Sequence, residues 1–148
     1  MIVWRFTPHA SLDGRGGQLF SGRWHSRGRE ILYCAMNPAT ALLEVLVHVG
    51  AAHPRMLGRH RFLKIEVPDD AEGEHIELAL LPGDWSRHLR VTRARGDRWL
   101  SEGQTAVLRV PSVLVPETQN VLVNPRHPRA SRVQLLDAIA YPLDRRLF

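Results

Sequence analysis

The sequence predicts one domain that mixes short strands with a few helices, and three observations carry that prediction. The chain has 148 residues, 44% of them hydrophobic, enough to bury one sizeable core and too few for a second domain of ordinary size. Short β-branched runs bounded by glycine, proline and asparagine recur along the length. Between two of these runs lies a longer apolar stretch with a helix start signal.

Residues 2–6 (IVWRF) read as the first strand. Residues 7–20 show no regular pattern, and Gly14, Gly16 and Gly17 mark them as a loop. After Gly22, Arg23 and Trp24 comes a basic turn, HSRGRE, and then a strand at 31–35 (ILYCA) that ends at Met36. Asn37 and Pro38 form a helix start, with asparagine as the N-cap and proline at the first helical position, where its missing N–H costs nothing. In the helix ATALLEVLVHV, the residues Leu42, Leu43, Val45, Leu46, Val47 and Val49 cover nearly the whole circumference, which predicts burial on most sides. Gly50 is its expected stop.

Residues 61–67 (RFLKIEV) alternate as a strand, 68–73 form an acidic loop, and 75–80 read as extended. Residues 85–103 predict one or two short helices broken at Gly96-Asp97, with Trp99 and Leu100 facing the core. Residues 106–115 and 121–123 are β-branched runs interrupted by Pro111 and by a turn at 116–120, so they read as a bent pair of strands. Asn124-Pro125 and a short amphipathic piece through 134–139 close the domain.

Composition removes several function classes. No apolar run approaches the roughly 20 residues of a membrane helix, and the N-terminal apolar stretch is interrupted by Arg5, so neither a membrane span nor an export signal is expected. The single cysteine, Cys34, cannot build a disulfide framework, which agrees with a cytoplasmic location. Lys plus Arg number 20 against 15 Asp plus Glu, and Lys64 is the only lysine. Guanidinium groups bind phosphate oxygens bidentately, so such a surface suits nucleic acid, a phosphorylated ligand or an acidic partner; a GC-rich genome explains the same bias without function.

Three clusters are candidates for chemistry. Thr40, Glu44 and His48, at i, i+4 and i+8, form a polar stripe on the apolar helix. A carboxylate there is costly unless it is paired or lines a wet cleft, and a plain Glu44–His48 ion pair is the structural alternative. Arg23-Trp24-His25, upstream of Tyr33, sets an arginine beside an aromatic, as at phosphate and nucleotide sites and also on ordinary surfaces. Ser112, followed by Asn120 and Asn124, places polar groups near a strand turn, where capping is the simpler role. Cys34 has no partner that marks a thiol protease, no glycine elbow surrounds Ser112, and the eight histidines show neither HExxH nor paired metal-ligand spacing. No metal site is expected, and there is neither a Walker loop nor GxGxxG.

Taken together, WRF near the start, SGRWH at 21–25, ILYCA at 31–35, ALLEVLVH at 41–48 and VPSVLVPETQNVLVNPRHP at 110–128 resemble the RES domain. That family is named for an arginine, a glutamate and a serine and is found among toxins of bacterial toxin–antitoxin pairs; the matching residues are Arg23, Glu44 and Ser112. The resemblance implies a single RES domain over 1–148 with an α+β fold similar to ADP-ribosyltransferases: two small, mostly antiparallel sheets around a cleft, with flanking helices. It implies NAD⁺ as a substrate, with no permanently bound cofactor, cleaved at the nicotinamide–ribose bond by hydrolysis, phosphorolysis or ADP-ribosyl transfer to a protein. Arg5 and Arg23 would bind the pyrophosphate or ribose phosphates, Tyr33 would stack on or position the nicotinamide end, and Glu44 would serve the reacting ribose. Glu44, Tyr33 and Arg23 would thus be catalytic, with His48, Ser112, Asn120 and Asn124 also around the ligand. The implied partner is a cognate Xre-type antitoxin in a hetero-oligomeric complex that meets DNA only through the antitoxin.

Two readings of other classes stand beside this one. An arginine-rich module could bind nucleic acid without catalysis, and its affinity would then fall steeply with salt. An interaction protein without chemistry would use the Glu44–His48 stripe as a structural pair.

Overall fold

A computed structural model of the chain describes residues 1–49, 54–71 and 73–147. Its strands are β1 (Ile2–Thr7), β2 (Leu32–Ala35), β3 (Arg61–Glu66), β4 (Glu74–His75), β5 (Val107–Pro111), β6 (Gln119–Val123) and β7 (Gln134–Ile139). Its α-helices are α1 (Gly16–Leu19), α2 (Pro38–Val49) and α3 (Leu89–Glu102). The expected loop at 7–20 therefore contains one helical turn, and the amphipathic piece at 134–139 is an edge strand.

In place of two sheets there is one of seven strands, ordered β4-β5-β6-β2-β1-β3-β7. All pairs are antiparallel except β4 with β5. The reason for the difference lies at the join between β1 and β2. β1 pairs with β3 along all of Ile2 to Thr7, and β2 pairs with β6 from Leu32 to Ala35, yet β1 and β2 meet in register only at Trp4 and Ala35. Two ladders are thus hinged through one residue pair, and past that pair the facing strand edges part to leave a gap in the sheet.

Both faces of β5 and β6 are covered, which is why these strands read as continuous apolar runs. Val107, Val121 and Val123 join Val3, Leu32, Leu63 and Ile65 in one core cluster; Leu108, Val110 and Leu122 point the other way, toward Trp24, Trp85 and Trp99. The alternation follows the period of two along a strand.

The cap expected for α2 is present, with the Thr40 N–H donating to Asn37 Oδ1 at 2.8 Å. Its burial is less than the sequence predicts. Only Thr40 and Ala41 are buried, whereas Leu43 and Val47 are 38% and 57% exposed. The helix packs chiefly on β1, through Leu42, Val45, Leu46 and Val49 against Phe6, Ala35 and Phe62, and among the described residues nothing covers its outer side. Gly50, its expected stop, lies outside the described residues.

The break expected at Gly96-Asp97 is absent, and α3 runs through it. A Cβ on Gly96 would lie 1.7 Å from the Trp24 carbonyl oxygen, so glycine is needed there for close approach and not for flexibility. Asp97 then accepts from Ser26 N–H at 2.8 Å and Ser26 Oγ at 2.6 Å, locking the same loop to the helix. Trp99 is core-facing as expected. The extended reading of 75–80 gives way to the two-residue β4 and a 3₁₀ turn at Leu78–Leu80.

Candidate functional site

The gap between β1 and β2 is the floor of a cleft with a volume of about 580 Å³. Trp4 to Thr7 of β1 supply one wall; Tyr33 to Ala35 of β2 and the loop at 21–24 supply another; Ala41, Glu44, Val45 and His48 of α2 stand over it. Arg93 and Leu89 of α3 complete the side opposite β1.

Glu44 lies at the centre of this arrangement. Its Oε1 accepts from Ser112 Oγ at 2.8 Å and from Asn120 Nδ2 at 2.7 Å. Both bonds fall on one oxygen, so among the described residues Oε2 has no hydrogen-bond partner. Ser112 is buried, and its oxygen also accepts the Leu114 N–H at 3.1 Å, so the turn after β5 fixes the hydroxyl that fixes the carboxylate. Ser112 acts through Glu44 and does not itself line the cleft. The Glu44–His48 ion pair does not form: the His48 ring nitrogen Nδ1 meets the Glu44 backbone carbonyl at 2.7 Å, and His48 stands exposed at the cleft's edge. Thr40 is buried at the start of α2, away from the cleft lining.

Arg23 enters the cleft with its guanidinium 5.9 Å above the Trp85 ring and donates to the Ser86 carbonyl at 2.9 Å. Burial pushes its pKa down and the Glu44 carboxylate opposes that shift, so the two groups sense each other's charge. Arg5 lines the cleft from β1. Arg93, a third arginine here, is invisible in the sequence, because nothing in RVTRARGDRW distinguishes it from its neighbours. Its Nε donates to the Gly22 carbonyl at 2.8 Å, which holds it beside Arg23.

Tyr33 presents its ring to the cleft but commits its hydroxyl to the protein. The oxygen accepts the Trp24 N–H at 3.1 Å and lies 2.8 Å from His25 Nδ1. His25 is buried, with Nε2 within 3.2 Å of the Gly17 carbonyl and 3.0 Å of the Phe20 carbonyl, so the ring proton sits on Nε2 and Nδ1 accepts from Tyr33. Burial pushes the phenol's pKa up and that of His25 down, keeping both neutral. Gly22 permits this packing, since a Cβ there would lie 2.5 Å from the Tyr33 oxygen. The Tyr33 hydroxyl is thus neutral and committed to Trp24 and His25.

Asn120 lines the cleft; Asn124 does not. Four residues on, about 13 Å along the chain if extended, the Asn124 oxygen accepts the Arg126 N–H at 3.1 Å and shapes the turn after β6. Cys34 also borders the cleft, but burial pushes its thiol up to about 11, which removes the thiolate a nucleophile needs. His60, which no sequence motif singled out, borders the cleft too and packs on Phe6 with ring centroids 5.0 Å apart. Among the described residues no three His, Cys, Asp or Glu side chains gather as a metal site would require, and no helix is long and apolar enough to cross a membrane. A fixed carboxylate facing a cleft with three arginines can hold an anionic ligand and stabilise positive charge that develops on it.

Comparison with known proteins places this geometry. Residues 2–144 match the RES domain family. The chain is 42% identical over 150 residues to Toxin Res of Pseudomonas putida, with all of both chains covered. It is 37% identical to the Prs ADP-ribosylating toxin of a Sphingobium strain, over 88% of this chain and 86% of that protein. Among solved structures, the fold is similar to a chain of the M. tuberculosis MbcT–MbcA toxin–antitoxin complex, with a TM-score of 0.71 and 19% identity over 93% of this chain and 82% of that one.

Proposed function

Because this chain belongs to the RES domain family, we propose that it is a bacterial toxin that cleaves the nicotinamide–ribose bond of NAD⁺ in the Arg23–Glu44 cleft. The observation that carries the proposal is Glu44: a carboxylate pinned through Oε1 by Ser112 and Asn120, with no partner on Oε2 among the described residues, in a cleft that also holds Arg5, Arg23 and Arg93. The relatives named as toxins, one of them ADP-ribosylating, support it.

The chemistry asks little more of the site. When the bond between the nicotinamide nitrogen and ribose C1′ breaks, its electron pair leaves with the ring, which departs neutral, and the ribose gains oxocarbenium-like charge. A carboxylate held beside C1′ stabilises that charge without moving, and no strong acid is needed for a leaving group that begins as a cation. Arg23 and Arg93, with Arg5 opposite, hold the pyrophosphate; the Tyr33 ring orients the nicotinamide nucleoside; His48 stands at the mouth. The acceptor is water, phosphate or a protein side chain, and the same residues surround the ribose in each case. In this reading the fold is ADP-ribosyltransferase-like, and the gap between β1 and β2 is where NAD⁺ lies.

The toxin acts in the cytoplasm and is held in check by an Xre-type antitoxin in a hetero-oligomeric complex, through which alone it meets DNA. Phe20, Val47 and Leu89, which are 74%, 57% and 39% exposed, give a partner an apolar surface close to the cleft. Arg15, Arg29, Arg98, Arg126, Arg132 and Arg146 each pair with a carboxylate, so part of the positive charge is offset within the chain and not offered to a nucleic acid.

The deciding experiment is mass spectrometry of NAD⁺ incubated with the purified chain, with and without phosphate and in cell lysate. Free ADP-ribose, a phosphorylated ADP-ribose or a modified protein each identifies the acceptor; intact NAD⁺ under all three conditions overturns the proposal. Two substitutions refine it. Arg23→Lys keeps the charge but loses the bidentate contact, so the KM for NAD⁺ should rise about tenfold; an unchanged KM would remove Arg23 from the ligand. Ser112→Ala removes one of two bonds to Glu44 and should lower kcat roughly tenfold with little change in KM. A raised KM at parental kcat would instead make Ser112 a binding group.

A further inference from the structure

Two buried side-chain nitrogen or oxygen atoms lack a hydrogen-bond partner among the described residues, His60 Nδ1 and Asn120 Oδ1. Both residues line the cleft. A buried polar atom without a partner is costly, so two such atoms at one cavity point to a place where a ligand could supply the missing bonds.

The two atoms ask for different donors. Asn120 donates its Nδ2 to Glu44, which leaves the buried Oδ1 as an unpartnered acceptor next to the carboxylate, where a ribose hydroxyl would satisfy it. His60 belongs to a different setting. It follows the 3₁₀ turn Pro54–Leu57, its backbone N–H is tied to the Leu57 carbonyl at 2.9 Å, and its ring lies against Phe6, which in turn packs on Phe62 at 4.5 Å. Burial, with the nearby charge of His9, lowers the imidazole's pKa, so the ring is neutral at pH 7. The Met56 carbonyl partly opposes that shift. A neutral imidazole carries one N–H and one lone pair, and in the tautomer with its N–H on Nε2 the unpartnered Nδ1 is an acceptor beside the buried Phe6 ring.

Resting on the NAD⁺ reading above, we propose that His60 is a specificity-determining residue whose Nδ1 accepts an N–H from the nicotinamide carboxamide while Phe6 packs against the pyridine ring. Its position supports this. β1 carries Phe6 two residues past the single Trp4–Ala35 pair, at the parting of the strands, with Ala41 and Val45 of α2 on the same cluster and Glu44 between those two in sequence. The base that lies against Phe6 is therefore the one whose ribose reaches Glu44. A carboxylate in place of the carboxamide has no N–H to give and would set its charge against the Nδ1 lone pair, so His60 selects the amide over the acid.

The test measures dissociation constants of the full chain for NAD⁺, for its nicotinic acid analogue and for its hypoxanthine analogue, which alters only the adenine amine. The parent should prefer NAD⁺ over the nicotinic acid form by at least roughly tenfold, the worth of one buried hydrogen bond. His60→Phe keeps the aromatic surface but not the acceptor, and should reduce that preference to within about threefold. Its preference over the hypoxanthine form should not change. A parental preference retained in His60→Phe overturns the assignment, and so does a loss seen only with the hypoxanthine form, which would place adenine there. Should His60→Phe not fold, the imidazole ¹⁵N resonance of His60 in the parent decides: it should move on adding nicotinamide and stay fixed with nicotinic acid, and no difference between the two overturns the assignment. Failure of the parent to bind any of the dinucleotides is a separate result that overturns the NAD⁺ reading itself.

Discussion

Glu44→Gln should abolish NAD⁺ cleavage while leaving the fold intact, with kcat lowered about a thousandfold. Glutamine keeps the shape of the side chain, and its carbonyl oxygen can still accept from Ser112 Oγ and Asn120 Nδ2 as Glu44 Oε1 does at 2.8 and 2.7 Å. Only the negative charge is lost. Because that charge opposes positive charge developing on the ribose in the transition state and not in bound NAD⁺, the loss belongs in kcat. Circular dichroism and the melting temperature should match the parent, and steady-state kinetics reads the change. A variant within about fivefold of the parental kcat would show that Glu44 is a structural acceptor for Ser112 and Asn120 and no part of the chemistry.

Gly96→Ala should destabilise the protein by about 3 kcal/mol or more, the largest single effect expected away from the chemistry. On an exposed helix the same change stabilises by up to about 1 kcal/mol, because glycine is the poorer helix former. Here the new Cβ would lie 1.7 Å from the Trp24 carbonyl oxygen and 2.8 Å from its carbon, which is backbone and cannot rotate aside. α3 must move away from the loop at 21–26, stretching the Asp97–Ser26 bonds and the Thr92 Oγ1 donation to the Arg23 carbonyl at 2.7 Å. A fall in melting temperature of roughly 10 °C follows from the usual scaling for a chain of this size. Arg23 should be displaced as well, so the KM for NAD⁺ should rise with it. A melting temperature at or above the parental value would show that α3 does not approach Trp24 this closely.

Both variants bear on what could be read in advance. The α2 cap was legible because its signal is local: Asn37 and the Thr40 N–H it binds are three residues apart. β1, β2 and β3 are legible to within a residue because apolar β-branched runs bounded by turn residues admit few other conformations, whereas the run 106–115 is a strand only from Val107 to Pro111 and the strand at 134–139 reads only as an amphipathic piece. Glu44 stands out as a charge on an apolar helix, and the RES-type pattern joins it to Arg23 and to Ser112, the second of which donates to it.

Tertiary structure alone decided how these pieces meet. Glu44 is 68 residues from Ser112 and 76 from Asn120, so no local pattern could choose that network over a Glu44–His48 pair one helical turn away. Arg93 and His60 carry no sequence signal, because their roles come from what α3 and the turn before β3 bring to the cleft. The same holds for the misreadings. Gly96 looks like a helix breaker until Trp24 is placed against it, and α2 looks buried until Leu43 and Val47 prove exposed. Local capping and side-chain periodicity, acting within a few residues, specified the elements of this protein; the contacts between distant elements, which depend on how strands part and helices dock, specified its site.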